Sequence, residues 1–104
     1  MSEPTYFILA SLLDGPLHGY AIIKRAGELS GGRVRLAVGT LYGALDRLAG
    51  NGLIAVDREE IVDGRPRRYF TITDDGADAV TQEAKRMAQA ARIVVRRQPG
   101  MVTS

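Results

Sequence analysis

Apolar positions recur along this chain at helical spacing in four stretches and at alternating spacing in one. In the first stretch Phe7, Ile8, Leu9, Leu12 and Leu13 leave almost no polar face, which predicts a core helix over about 4–13. Pro4 is tolerated in its first turn, and Asp14-Gly15-Pro16 stops it. In a second helix over about 18–29, Ile22, Ile23 and Ala26 face inward, with Lys24, Arg25 and Glu28 outside. Ser30-Gly31-Gly32 ends that helix, and residues 33–38 alternate enough to predict a short extended piece.

The third helix begins near Val38. At roughly 100° per residue, Leu41, Leu45 and Leu48 share one face, while Gly39, Thr40, Gly43, Asp46 and Arg47 lie opposite. A helix with so little bulk on its outer face can approach another body closely. Gly50-Asn51-Gly52 marks its C-terminus.

Residues 53–59 and 67–73 are rich in β-branched and aromatic side chains and flank Asp63-Gly64, which predicts a β-hairpin. Ile61 and Val62 fall near its tip. A last helix starts at Thr73, a suitable N-cap, with Asp74 and Asp75 in the first turn, where their charge complements the helix dipole. Its apolar positions Val80, Ala84, Met87, Ala91 and Val94 follow the spacing of a coiled-coil seam. Ala84, Ala88 and Ala91 permit close helix approach, so the start of this helix is expected to pack inward and the remainder to pair with a second copy. Residues 98–104 carry no hydrophobic pattern and are expected to be disordered.

Composition narrows the functions open to such a chain. Its 104 residues suit one small domain. Cysteine is absent, which removes disulfides and thiolate metal sites and fits a cytoplasmic protein. The single histidine, His18, and acidic pairs that are adjacent rather than convergent predict neither catalysis nor a metal site nor a cofactor. No segment has the apolar length of a membrane span. The net charge is only +2, but the arginines are grouped: Arg65, Arg67 and Arg68 stand at the hairpin turn. A second group, Arg86, Arg92, Arg96 and Arg97 with Lys85, reads as a solvated surface. Guanidinium forks match phosphate oxygens and guanine edges, so a slim helix beside an arginine-bearing hairpin predicts a winged helix-turn-helix that docks on double-stranded DNA.

Four motifs then carry a specific resemblance. Pro16-Leu17-His18-Gly19-Tyr20-Ala21-Ile22, Gly39-Thr40-Leu41-Tyr42-Gly43-Ala44-Leu45-Asp46-Arg47-Leu48, Gly52-Leu53-Ile54 and Tyr69-Phe70-Thr71-Ile72-Thr73-Asp74-Asp75-Gly76 occur in the order and spacing of the PadR-like transcriptional regulators, which the chain resembles from about residue 9 to about residue 80. The resemblance implies a mainly α protein with a small β-hairpin: a winged helix-turn-helix over 1–73, a C-terminal dimerisation helix over 74–97 and a tail over 98–104. It also implies a homodimeric repressor on a palindromic operator, responsive to a small hydrophobic or aromatic effector. Two departures stand out. Gly43 replaces the family's proline after the tyrosine of the recognition helix, and the C-terminal helix lacks the tryptophan that stacks on ligands in some relatives.

The candidate DNA-binding residues are Tyr20, Gly39, Thr40, Tyr42, Arg65, Arg67 and Arg68. Thr40 suits a phosphate or base edge, or a helix-start cap. Tyr42 and Tyr20 suit phosphate through their hydroxyls, or half-buried packing. Tyr20 resembles the family tyrosine that touches backbone phosphate. Arg67 and Arg68 point to opposite faces of a strand, which favours Arg65 with Arg67 as the pair that meets one surface. Arg47 is expected in an intrahelical ion pair. The dimer-interface candidates are Val80, Ala84, Met87, Ala91 and Val94. Two other functions suit the same sequence: a sensor with an apolar ligand cavity at the dimer interface, and a protein-interaction module on a winged-helix scaffold.

Overall fold

The computed structural model describes residues 1–97. Four helices and one three-stranded sheet follow in the order α1 (Glu3–Ser11), β1 (Leu17–His18), α2 (Gly19–Leu29), α3 (Val38–Gly50), β2 (Ile54–Val62), β3 (Arg65–Ile72) and α4 (Asp74–Arg96). The tail expected at 98–104 lies outside the described residues.

Leucine and isoleucine stripes from each helix meet in one core. Ile8, Leu9 and Leu12 from the α1 segment, Ile22 from α2, and Leu41, Leu45 and Leu48 from α3 are buried against Ile54, Phe70 and Val80. Burying a large aliphatic side chain stabilises the fold by about 1.5–3 kcal/mol each, so this cluster fixes how α3 is presented. Its apolar stripe is consumed inward, and Gly39, Thr40, Gly43, Asp46 and Arg47 are all exposed.

Local chemistry sets the element ends. The Ser2 hydroxyl accepts from Thr5 N–H at 3.2 Å and begins α1. That helix stops at Ser11, two residues before the predicted end, where the buried Ser11 hydroxyl donates to the Ile8 carbonyl at 2.6 Å. Gly31 and Gly32, both with positive φ, turn the chain out of α2. Residues 33–37 join no strand, with Ala37 in extended backbone, and Val38, the last residue of the expected extended piece, already begins α3.

The sheet order is β1-β3-β2, all antiparallel. The two-residue β1, which the pattern did not predict, pairs Leu17 with Phe70 and His18 with Tyr69. Both hairpin arms run further than expected, to Val62 and Arg65, so Ile61 and Val62 are strand residues and only Asp63 and Gly64 form the turn. Both have positive φ, 51° and 75°, as a two-residue turn compatible with strand twist requires. A register shift between Val56 and Arg58 leaves Asp57 as an extra residue, so beyond it Arg58, Glu59 and Glu60 stand opposite Tyr69, Arg68 and Arg67.

The Thr73 hydroxyl caps α4, accepting from Gly76 N–H at 3.0 Å and donating to the Gly52 carbonyl at 2.6 Å. Val80 must be removed from the expected dimer-interface set. It is buried in the core of its own chain and presents no surface to a second copy. Ala84 is half-buried, and every residue from Lys85 to Arg97 is exposed.

Candidate nucleic-acid interface

Strand alternation builds one wall of the site. Phe70 points into the core, so Tyr69, Arg67 and Arg65 occupy the opposite face of β3. His18 stands opposite Tyr69 in β1, its ring edge-on to the tyrosine ring at 5.5 Å. The Arg58 guanidinium lies over that ring at 3.9 Å from its centre. The other wall comes from the start of α2 and from α3, where Gly19, Tyr20 and Tyr42 meet. Together His18, Gly19, Tyr20, Tyr42, Arg65 and Arg67 line an open groove of about 500 Å³ whose floor continues through the hairpin turn.

Gly19 is explained by what lies above it. A β-carbon there would stand 2.8 Å from the Tyr42 hydroxyl oxygen and 3.2 Å from its Cζ, so only glycine lets the phenol cross the start of α2. Gly39 and Gly43 differ, because a β-carbon on either meets nothing within 4 Å. Internal packing places no demand on them. With Tyr42 they form an exposed i, i+3, i+4 face beside the groove, and Thr40 lies on the same outer surface. The N-cap of α3 is Ala37, with no side-chain cap bond, so Thr40 is not a helix-start cap and the first-turn N–H groups have no side-chain acceptor among the described residues.

The cations divide by face. Arg68 projects from the far face of β3 and donates to the Glu59 carboxylate at 3.2 Å. Arg58 donates to Glu60 at 3.0 Å and Asp57 at 3.2 Å; its hydrogen bond to Glu60 raises its pKa and holds the Glu60 carboxyl below the usual carboxylate range. Among the described residues, Arg65 and Arg67 form no ion pair, and both line the groove. Nor does Arg47, so the intrahelical pair expected for it is not made. His18 caps α2, its Nδ1 accepting from Ala21 N–H at 3.5 Å, and burial followed by the charge of Arg67 lowers its pKa below 6.5.

Of the residues singled out from the sequence, Tyr20, Tyr42, Arg65 and Arg67 share the groove, Gly39 and Thr40 lie on the open surface of α3, and Arg68 turns away. The sequence pattern singles out neither His18 nor Arg58 for this groove: the place of His18 depends on the short β1 pairing with β3, and that of Arg58 on the extra residue at Asp57. The dimer-interface candidates Ala84, Met87, Ala91 and Val94 lie apart from this groove, on α4. No group of three or more His, Cys, Asp or Glu among the described residues is placed to hold a metal ion. No helix among them is long and apolar enough to cross a membrane.

This winged arrangement is found in known proteins. The chain is 36% identical over 88 residues to the transcriptional regulator Rv3488 of Mycobacterium tuberculosis, a match covering 85% of this chain and 78% of the relative. It is 43% identical over 88 residues to an uncharacterized 37.1 kDa protein in transposon TN4556 of Streptomyces fradiae, covering 85% of this chain but only 24% of that protein. Among solved structures, Bacillus subtilis PadR in complex with operator DNA superposes with a TM-score of 0.68 at 27% identity, covering 77% of this chain and 46% of that one. Residues 8–82, from the buried Ile8 of α1 to the first turns of α4, match the family model described as the transcriptional regulator PadR-like family, and the chain belongs to that family.

Proposed function

We propose that this transcriptional regulator binds double-stranded DNA as a homodimer and represses from an inverted-repeat operator in the cytoplasm. The observation that carries the reading is the groove in which Arg65 and Arg67, which form no ion pair among the described residues, face Tyr20 and Tyr42 beside an α3 surface kept slim by Gly39 and Gly43. In this reading α3 enters the major groove. Thr40 and the uncapped first turn meet base edges and phosphate, and the two arginines hold the flanking backbone or minor groove. Arg68, engaged by Glu59, contributes little to binding.

The pattern on α4 supports the second copy. Ala84, Met87, Ala91 and Val94 are spaced symmetrically, so antiparallel pairing sets Ala84 of one copy on Val94 of the other and Met87 on Ala91, small against large at each level. Parallel pairing sets Met87 on Met87 and Ala84 on Ala84, alternating crowding with gaps that a close-packed interface does not tolerate. A cleft of about 250 Å³ between α1 and α4, lined by Tyr6, Phe7 and Met87 together with Glu3, Glu83 and Arg86, adjoins the exposed seam of α4 and supports a hydrophobic or aromatic effector held at the dimer interface. Titration with flat hydrophobic dyes tests that part separately.

Selection of bound fragments from random DNA tests the main reading. The expected outcome is an inverted repeat with half-sites about one helical turn, roughly 34 Å, apart. Recovery of no enriched sequence, with a monomer in sedimentation, favours a protein-interaction module instead.

A further inference from the structure

We infer that His18 is a proton-linked phosphate contact, taking up a proton from solvent when a phosphate group enters the groove beside Arg67. The inference rests on the DNA-binding reading above and adds to it a residue and a pH dependence.

Geometry brings His18 there. It ends β1 and caps α2, so its Nδ1 is used as an acceptor from Ala21 N–H at 3.5 Å. The neutral ring therefore carries its proton on Nε2, as a donor. Opposite Tyr69 in the register, the imidazole occupies the same sheet face as Arg67 and lines the groove with it.

The groups around it explain both states. Tyr69 and Arg67 face it from β3, Tyr20 from α2 and Tyr42 from α3, with Asp63 and Arg65 at the hairpin turn; Arg58 and Glu60 stand on β2, one strand further away, where Arg58 covers the Tyr69 ring. Of the carboxylates, Glu60 is held by Arg58 at 3.0 Å, and neither it nor Asp63 forms an ion pair with the imidazole. In the free protein, burial, Arg67 and the positive end of the α2 dipole all oppose a charge on the ring. A phosphate oxygen reverses this balance. It offsets Arg67 and accepts from Nε2–H, a charge-assisted bond once the ring is protonated. Protonation ends the Nδ1 cap bond, which at 3.5 Å is long and weak.

His18 is the single histidine, so its imidazole resonance needs no assignment. The test titrates that resonance in the full chain, free, with a selected operator duplex, and with tripolyphosphate against sodium chloride of equal ionic strength. The expected midpoint lies below the ordinary histidine value when free and rises by about one pH unit with duplex, equivalent to about tenfold in affinity. Operator affinity of the wild type then tightens about fivefold or more from about pH 7.5 to about pH 5.5. His18→Asn keeps a side-chain cap for α2 and is expected to fold normally with a flat profile. A midpoint unmoved by saturating duplex, or an Asn variant with the wild-type pH profile, overturns the inference while leaving DNA binding intact. If no duplex binds, the DNA reading fails, and a midpoint unmoved by tripolyphosphate overturns the inference as well.

Discussion

The phenol oxygen of Tyr42 lies 2.8 Å from the point where a β-carbon on Gly19 would stand, so the start of α2 and the first turns of α3 interlock through one missing side chain. The obstructing atoms are the far end of a movable side chain, and Gly19 is the first residue of α2, so Gly19→Ala is expected to fold with a melting temperature close to wild type. Its effect falls on the groove, because Tyr42 must swing away. Operator affinity should drop several-fold, and the Tyr42→Ala loss should shrink in the Gly19→Ala background; a double-mutant cycle with strictly additive losses contradicts the coupling.

Gly76 presents the opposite case. A β-carbon there would lie 2.0 Å from the Leu53 carbonyl oxygen and 2.8 Å from Ile72 Cγ1, and backbone cannot swing aside. Gly76→Ala is expected to cost about 3 kcal/mol, since α4 must lift from the base of the hairpin. Urea denaturation reads this directly.

Acid sensitivity is predicted at Glu83. This nearly buried α4 carboxylate accepts from the Arg86 guanidinium and from the Met1 α-ammonium at 3.0 Å, and the Arg86 hydrogen bond is the largest cause of its pKa of about 2. Because the folded value lies below the ordinary 4.5, the folded state favours the anion. Its contribution is whole above about pH 4.5 and is lost as pH falls toward 2. Thermal melts between those values should show a steeper decline for wild type than for Glu83→Gln.

The exposed seam of α4 gives a test of assembly. Met87 and Val94 are 39% and 59% exposed in the single chain, large apolar surface for a helix end to leave in water. Met87→Glu is expected to yield a monomer in sedimentation with little loss of monomer fold, and operator affinity should fall by at least tenfold as two-site binding is lost. A dimer unaffected by Met87→Glu and by Val94→Asp places the interface elsewhere.

Much of this was legible in the residues. The leucine stripe of α3 fixed which face turns outward, and the β-branched arms with Asp63-Gly64 fixed the hairpin, because both signals are local. Non-local pairing was not. Nothing in Leu17-His18 announces a two-residue strand, whose existence depends on Phe70 and Tyr69 arriving alongside. The extra residue at Asp57 was hidden for the same reason, and with it the stacking of Arg58 on Tyr69. The hairpin arms run past the ends that residue type predicts, because the ladder carries Ile61 and Val62 up to the turn. Val80 fitted the seam by spacing, yet the core claims it first. On the candidate site, alternation separated Arg67 from Arg68 by face, and the structure adds the partner, Glu59, that occupies Arg68.

In the proposed complex the groove side of the wing holds the duplex through Arg65 and Arg67. The salt dependence of operator affinity, for the wild type, for Arg65→Ala with Arg67→Ala, and for Arg68→Ala, reads those contacts. The expected result is steep weakening with salt, a slope shallower by about two phosphate contacts in the double variant, and no change in slope for Arg68→Ala. An unaltered slope in the double variant, or a loss that follows Arg68 instead, contradicts it.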